Sequence, residues 1–138
     1  MENSDSSIIL EIFTPYGEYL NEEVTNIDIV SSGTSFGVLP DHYPLISTLQ
    51  ISILYLTIDD TRYAYAIGEG VINIKDNNAT ILVDCIERSD EIDIERAKAK
   101  LEEVNEKLKD ATDESLIIAL NKSRMKAENR IEVFNQNK

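Results

Sequence analysis

The hydrophobic pattern of the chain changes once, near residue 90. Before this point, apolar residues alternate with polar ones or form short β-branched runs between turn residues, which is typical of strands. After it, apolar residues recur at steps of three and four, the spacing of an amphipathic helix. These residues are Ile94, Ala97, Leu101, Val104 and Leu108. The pattern predicts a β half joined to a helical half.

The β half predicts an N-terminal antiparallel β-sandwich, or a flattened barrel, of about ten short strands. Pro15 and Gly17 favour a turn after the first strand, and Asp59 with Asp60 favours a tight hairpin turn. Residues 31–44 are rich in glycine and proline and are predicted to be loop around one short strand. The predicted strands span residues 7–13, 18–24, 26–30, 36–38, 51–58, 61–67, 71–74 and 79–86.

The helical half predicts an antiparallel two-helix hairpin. Asp93 is the predicted N-cap of the first helix, because its carboxylate can accept free amides of the first turn. This helix is expected to end near Lys109, and the second to run from about Glu114 to Phe134. A link as short as residues 110–113 forces neighbouring helices to pack antiparallel.

The two halves are predicted to form separate units, a sandwich domain at residues 1–88 and a C-terminal hairpin at residues 89–138. Few large apolar side chains line the seam between the helices, which predicts a hairpin able to lie on the sandwich or leave it. The apolar stripe of the second helix is predicted to contain Leu116, Leu120, Ser123, Ala127, Ile131 and Phe134.

Charge is distributed unevenly along the chain. The net charge of −13 argues against binding to nucleic acid or to anionic lipid. Residues 115–138 hold five cationic and two anionic side chains, a net +3, so residues 1–114 carry −16. Lys122, Lys126 and Arg130 are spaced four apart and form one basic stripe on the second helix. This stripe either pairs with carboxylates of the first helix or meets an acidic partner or a phosphate. The candidate carboxylates are Glu102, Glu103 and Glu106.

Composition excludes most catalytic sites. His42 is the only histidine and Cys85 the only cysteine, which excludes histidine metal clusters, Ser–His and Cys–His pairs, and an internal disulfide. Neither glycine-rich phosphate-loop pattern is present. We therefore predict no catalytic residue, no metal site and no required cofactor. Cys85 is expected to be a buried structural thiol in the last strand.

The ends of the chain and its apolar runs bear on where the protein resides. The N-terminus lacks the pattern of a signal peptide, and the longest apolar run, residues 116–120, is far shorter than the ~20 residues of a membrane span. These features predict a soluble, cytoplasmic protein.

Arg96 lies one turn after Asp93, where two interpretations stay open. The pair could form a salt bridge within the helix. Alternatively, Arg96 could hold an anion at the helix N-terminus, because an arginine at that position opposes the helix dipole.

Three motifs in register resemble the epsilon subunit of bacterial F-type ATP synthase. They are Thr14-Pro15-x-Gly17, the loop Gly-Val-Leu-Pro-Asp-His-Tyr-Pro at 37–44, and Ile92-Asp93-x-x-Arg96-Ala97. The resemblance implies a non-catalytic rotor subunit at the cytoplasmic face of the cell membrane, attached to the membrane only through its complex. Its expected partners are the gamma (shaft) subunit, the c-ring and the catalytic beta subunits. The hairpin is expected to block ATP hydrolysis when it extends toward the beta subunits.

The resemblance also implies functional residues. In several bacterial members the folded-down hairpin binds ATP without hydrolysing it, and ATP is therefore a possible regulatory ligand here. Glu103 stands where tight binders carry a basic residue, and Lys126 where they carry an arginine, so we expect weak binding. The expected nucleotide-binding residues are Glu87, Ile92, Asp93, Arg96, Ala97, Lys126 and Arg130. Rotor contacts are expected at Ser35, Gly37, Pro40 and His42, and contacts of the arm with an acidic partner at Lys122, Arg124, Lys126 and Arg130.

Two other functions are compatible with the residues alone. One is a stand-alone nucleotide-sensing module, and the other is an adaptor β-sandwich whose helical hairpin oligomerises it.

Overall fold

The computed structural model describes residues 7–31 and 34–136. Within them, ten strands precede a 3-10 turn at Ser89–Glu91 and two helices, so the predicted sandwich followed by a helical hairpin is confirmed. The helices are α1 (Ile94–Asp110) and α2 (Glu114–Gln136). The strands are β1 (Ile8–Thr14), β2 (Gly17–Val24), β3 (Asn26–Ser31), β4 (Thr34–Val38), β5 (Leu45–Leu49), β6 (Ser52–Ile58), β7 (Thr61–Ile67), β8 (Gly70–Lys75), β9 (Asn78–Val83) and β10 (Ile86–Arg88).

The strands form two five-stranded sheets. The first sheet has the order β2-β1-β9-β8-β5, and the second has the order β10-β7-β6-β3-β4. Every pairing is antiparallel except that of β1 with β9, which runs parallel from Ile9 opposite Asn78 to Phe13 opposite Leu82. Because β1 and β9 are far apart in sequence, no hairpin turn restricts them to antiparallel pairing.

One apolar core fills the space between the sheets. In β1, the side chains of Ile8, Leu10 and Ile12 are buried while Ile9 is exposed, as expected for a strand with one face inward. Alternation in the other strands adds further members to a contiguous cluster of seventeen buried residues among those described. All seventeen belong to the sandwich, so its core does not depend on the helices.

Two predicted strand assignments are wrong. The predicted strand at residues 79–86 ends at Val83, and the chain crosses to the second sheet as β10. Backbone bonds hold this crossing: Asp84 N donates to Glu69 O, and Gly68 N donates to Cys85 O, both at 3.0 Å. Cys85 is therefore half-buried between strands rather than inside one. In addition, β5 falls in a stretch for which no strand is predicted, because it is a short edge strand that directly follows Pro44.

The two helices form the expected antiparallel hairpin, and Asp93 caps α1 as predicted. The hairpin meets the sandwich through the C-terminal end of α2, where Val133 is fully buried against Ile53, Ala66 and Ile92. Val133 lies outside the predicted stripe, whereas Leu116, inside it, is 48% exposed. The stripe prediction is thus wrong at Leu116 and misses Val133, whereas Phe134, a predicted member, packs against the same cluster. No helix of the described residues is long and apolar enough to cross a membrane.

Candidate functional site

The basic stripe of α2 docks on acidic residues of the sandwich. Its cations lie one helical turn apart, so each reaches a different part of the sandwich edge. The acceptors lie at or beside the β9–β10 crossing, where Asp84 N also donates to Glu69 O. The three ion pairs, called here the ionic ladder, join Lys122 Nζ to Glu69 (3.0 Å), Lys126 Nζ to Asp84 (3.1 Å) and Arg130 Nε to Glu87 (2.7 Å).

The carboxylates of α1 do not take up this stripe. Glu103 pairs with Lys107 and Glu106 with Lys109, each at 2.9 Å and within α1. The interpretation of the stripe as a set of bonds between the two helices is therefore wrong. A hydrogen bond from Asn129 Nδ2 to Ser52 O, at 2.7 Å, adds a further contact between α2 and the sandwich.

The carboxyl group of Asp84, a member of the ionic ladder, has a shifted pKa. Partial burial alone would raise its pKa, but hydrogen bonds from Lys126 and Cys85, with the charge of Lys126, outweigh burial and hold the pKa below its usual value. Asp84 is therefore ionised at neutral pH. Its interaction with Lys126 is a full ion pair under those conditions.

A cavity of about 720 Å³ opens between the start of α1, α2 and the end of the sandwich. Five of the seven residues expected to bind nucleotide line it together, although they come from β10, α1 and α2. Four further residues that the sequence did not single out as ligands complete the wall. The lining residues are Glu87, Glu91, Asp93, Arg96, Ala97, Ala99, Lys100, Glu103 and Arg130.

The other two expected nucleotide residues lie elsewhere. Ile92 is buried in the small apolar cluster beneath Val133. Lys126 lines an adjacent cavity of about 110 Å³, which shares Glu87 and Arg130 with the larger one and also contains Cys85. Burial is the main cause that raises the pKa of the Cys85 thiol, which keeps it protonated at neutral pH.

The cations of the larger cavity differ in how they are engaged. Arg130 is held by Glu87. Arg96 is different: Asp93 Oδ1 accepts the backbone N–H of Arg96 at 3.1 Å, and the Arg96 guanidinium forms no ion pair with another described residue. The salt bridge between the side chains of Asp93 and Arg96, one of the two open interpretations, is therefore not formed. The exposed Arg96 side chain stays free to meet an anion at the start of α1.

Glu91 is the lining residue that no pattern in the sequence indicated. Its Oε1 accepts hydrogen bonds from Tyr19 Oη at 2.6 Å and from the backbone N–H of Arg88 at 2.8 Å. Tyr19 lies 72 positions away in the chain, so no local motif signals this contact. In contrast, Lys100 follows Arg96 by four residues, and helical spacing alone would have placed it on the same face.

The residues expected to contact a rotor partner lie along one edge of the sandwich. Ser35 and Gly37 are exposed on the edge strand β4, and Pro40 and His42 follow in the next loop. The His42 ring meets Phe36 edge to face, with centroids 6.2 Å apart. These four residues therefore form a continuous stretch remote from the ionic ladder.

Among the residues expected on the basic arm, Arg124 is the exception. It is partly buried, and its Nε has no hydrogen-bond partner among the described residues. The other three, which form the ionic ladder, are all engaged by the sandwich in this structure.

The fold and the site together define a two-part binding module, in which a stable β-sandwich carries a helical hairpin on a largely ionic interface. The family model described as ATP synthase, Delta/Epsilon chain, beta-sandwich domain matches residues 7–89. Relatives named ATP synthase epsilon chain include one from Trichlorobacter lovleyi, 40% identical over 105 residues and covering 76% of each chain. Another, from Thermodesulfovibrio yellowstonii, is 34% identical over 107 residues, covering 78% of this chain and 76% of the relative.

Solved structures agree with this assignment. A chain in the cryo-EM structure of the Euglena gracilis mitochondrial ATP synthase, OSCP/F1/c-ring in rotational state 1, matches with a TM-score of 0.79 at 25% identity, covering 93% of this chain and 81% of that chain. A chain of the Tetrahymena thermophila mitochondrial ATP synthase central stalk and c-ring shares the fold, with a TM-score of 0.55 at 15% identity and coverage of 99% and 98%.

The chain belongs to the ATP synthase delta/epsilon family, as an epsilon chain of the F-type enzyme. The resemblance drawn from the three sequence motifs is confirmed. The protein is a structural or regulatory subunit rather than a catalytic one, and it is part of a membrane-associated complex.

Proposed function

We propose that this epsilon chain is a central-stalk (rotor) subunit that joins the gamma (shaft) subunit to the c-ring, at the cytoplasmic face of the cell membrane. The enzyme it serves translocates protons or sodium ions. Its hairpin inhibits ATP hydrolysis when it leaves the sandwich and reaches the beta subunits. The family assignment and the F1/c-ring complex that contains the Euglena gracilis relative support the first part, and the ionic ladder supports the second.

The observation that carries the regulatory part is the double use of the basic stripe. Lys122, Lys126 and Arg130 are the cations expected to meet an acidic surface of a partner, and all three are engaged by the sandwich when the hairpin is docked. One set of cations cannot serve both surfaces. Docking and partner binding therefore compete, and weakening one favours the other.

Two variants of the assembled enzyme test this competition. Truncation at residue 93 removes the inhibitor, so ATP hydrolysis should rise severalfold while assembly is retained. Glu69→Gln with Asp84→Asn weakens docking but leaves the arm intact, so hydrolysis should fall. Glu22→Gln with Asp59→Asn is the control, because both residues are exposed and neither takes part in the ion pairs with α2. Equal hydrolysis by all of these enzymes would contradict the proposal.

The proposal also includes weak binding of ATP in the larger cavity. Glu87 lies in β10, Arg96 in α1 and Arg130 in α2, so a ligand that contacts all three binds only the docked hairpin. Such a ligand stabilises docking in proportion to its occupancy. Arg96 is the expected phosphate contact, because it lies at the start of α1 and no described carboxylate forms an ion pair with its guanidinium.

Titration calorimetry of the full chain with ATP tests this binding. Arg96→Ala should abolish the heat of binding. Glu103→Ala should tighten binding severalfold, because it removes a negative charge from the cavity wall. Glu106→Ala is the matched control, since Glu106 has the same kind of ion pair within α1 but does not line the cavity. No heat with the wild-type chain, or equal heats for all variants, would contradict the proposal.

A further inference from the structure

The segment that connects the sandwich to the hairpin is a folded structure rather than an open linker. Arg88 ends β10 opposite Tyr65, and Ser89 in the following 3-10 turn is buried. The Arg88 guanidinium holds Asp90 with two bonds, Nε to Oδ1 at 2.6 Å and NH2 to Oδ2 at 2.9 Å. Glu91 closes the turn by accepting the Arg88 backbone N–H. These hydrogen bonds lie within the sandwich and the turn, so they do not require the hairpin, although α2 also packs against the turn in the docked position.

Glu91 also ties this turn to the other sheet. Its partner Tyr19 belongs to β2, at the edge of the first sheet, whereas Arg88 belongs to the second sheet. The Tyr19 ring meets the core residue Tyr65 edge to face, with centroids 6.2 Å apart, which fixes its direction. Burial and the bond to Glu91 both raise the pKa of Tyr19, so its hydroxyl remains a donor at neutral pH. The bond from Tyr19 to Glu91, called here the edge clip, thus joins both sheets to the end of the turn.

Only two residues separate the turn from α1. Ile92 (φ −76°, ψ 127°) and Asp93 (φ −85°, ψ 98°) are both extended, between one helical piece and the next. Hinges are short segments of this kind, because a few dihedral angles can absorb a large rotation. Ile92 packs in the cluster that contains Val133 of α2, and this contact is lost when the hairpin leaves.

We propose that Ile92 and Asp93 are the pivot of the hairpin, and that the edge clip keeps residues 88–91 on the sandwich in both positions. This inference rests on the proposed mobile hairpin, and it adds the position of the residues about which the hairpin rotates. The pivot lies a few residues beyond the predicted boundary after residue 88, which itself stays a prediction. Undocking then divides the larger cavity: Glu87 and Glu91 stay with the sandwich, whereas Arg96 and Arg130 leave with the helices.

Hydrogen exchange of the full chain, followed by mass spectrometry, tests the pivot. Lys122→Glu, Lys126→Glu and Val133→Asp are combined to release the hairpin, and all three changes lie in α2, so the sequence of the sandwich is untouched. We expect amides of α1 and α2 to exchange at least about tenfold faster, while peptides covering residues 86–91 change less than about twofold. Loss of protection at residues 86–91 together with α1 would overturn the pivot and leave the mobile hairpin standing. Protected helices in this variant would overturn the mobile hairpin, and the pivot with it.

The edge clip is tested separately with Tyr19→Phe, which removes only the hydroxyl donor. In the released background, this change should raise exchange of the Arg88 amide and of the 3-10 turn severalfold, because Glu91 loses the partner that holds it. Tyr16→Phe is the matched control, since Tyr16 is 98% exposed. Unchanged exchange at residues 88–91 in the Tyr19→Phe chain would overturn the clip.

Discussion

The sandwich and the docked hairpin are stabilised by different physical forces. The sandwich buries a contiguous apolar core, in which each large side chain contributes about 1.5–3 kcal/mol. The hairpin places one fully buried residue, Val133, against the sandwich and adds the ionic ladder, whose side chains are 31–54% exposed. Ion pairs with this exposure contribute about 0–1 kcal/mol each. The packing of the two sheets on each other is therefore permanent. The contact between the hairpin and the sandwich, in contrast, can be shifted by salt, by pH or by a ligand.

The largest expected effect comes from the sandwich core. Leu56 is fully buried between the sheets, and Leu56→Ala should lower the free energy of unfolding by about 2–5 kcal/mol, because it removes apolar contacts and leaves a cavity. Urea denaturation followed by tyrosine fluorescence measures this loss. Every tyrosine lies before residue 66, so the signal comes from the sandwich, and only Tyr55 among the described residues packed on the Val133 cluster also senses docking.

Leu116→Ala is the matched control for this core substitution. Leu116 is a leucine of the same size at an exposed position of α2, so its replacement should change the unfolding midpoint very little. If the two substitutions lowered the free energy of unfolding by the same amount, the contrast between the sandwich core and the hairpin would be wrong.

The next largest effect concerns the apolar contact of the hairpin. Val133→Ala should weaken docking by about 1–2 kcal/mol, since it removes two methyl groups from the fully buried residue that α2 places against the sandwich. Exchange of α2 amides should rise about tenfold, while the tyrosine-detected unfolding of the sandwich stays unchanged. Val133→Ala should therefore affect the hairpin and leave the stability of the sandwich unchanged, whereas Leu56→Ala should lower the stability of the sandwich.

Ile118→Ala is the comparison variant on the same helix. Ile118 is exposed on α2, so its loss should leave α2 exchange as in the wild-type chain. A fall in sandwich stability for Val133→Ala would show that the hairpin is part of the main core.

The sequence predicted the features that depend on near neighbours. Alternation in β1 and the helical spacing after Ile94 repeat within a few residues, and the Asp93 cap acts on an amide three positions away. The three motifs correctly indicated the family, and helical spacing placed Asp93, Arg96 and Ala97 at one end of α1. Each of these signals is local, so a pattern along the chain contains it.

The contacts that position the candidate site are long-range, and no local pattern contains them. Arg130 meets Glu87, 43 positions away, and Tyr19 meets Glu91, 72 positions away. The stripe of α2 could be recognised as basic, but its partners depend on where the β9–β10 crossing places carboxylates. Helical spacing alone cannot distinguish a face that meets α1 from one that meets the sandwich.

The ionic ladder should respond to salt, with a smaller effect than Val133→Ala. Raising NaCl from 0.05 to about 0.5 M screens exposed ion pairs and should increase α2 exchange severalfold. Lys122→Gln with Lys126→Gln should give faster exchange at low salt and a flatter response to added salt. Lys107→Gln with Lys109→Gln is the control, because those pairs lie within α1. The same salt response in both double variants would contradict the role of the ladder.

The smallest expected effect is a loss of docking in acid, through Asp84. Its pKa is lower in the docked chain than the usual value of about 3.9, so the ion pair with Lys126 stabilises docking fully above that value. The stabilisation is lost as pH falls through the depressed pKa. The contribution of Asp84 to the docking free energy should therefore be constant from pH 6 to 8. It should decrease below about pH 4.

NMR signals of α2 amides, recorded from pH 6 down to 3, measure this loss, with Lys126→Met as the comparison. The variant lacks the cation that depresses the pKa of Asp84, so its docking is weaker at neutral pH and should change less on acidification. Lys126 pairs with Asp84 in the described structure, so the difference between the two curves isolates this one pair. Superimposable curves would show that the Asp84–Lys126 contact contributes no free energy to docking, and that the hairpin is held by Val133 and the remaining pairs alone.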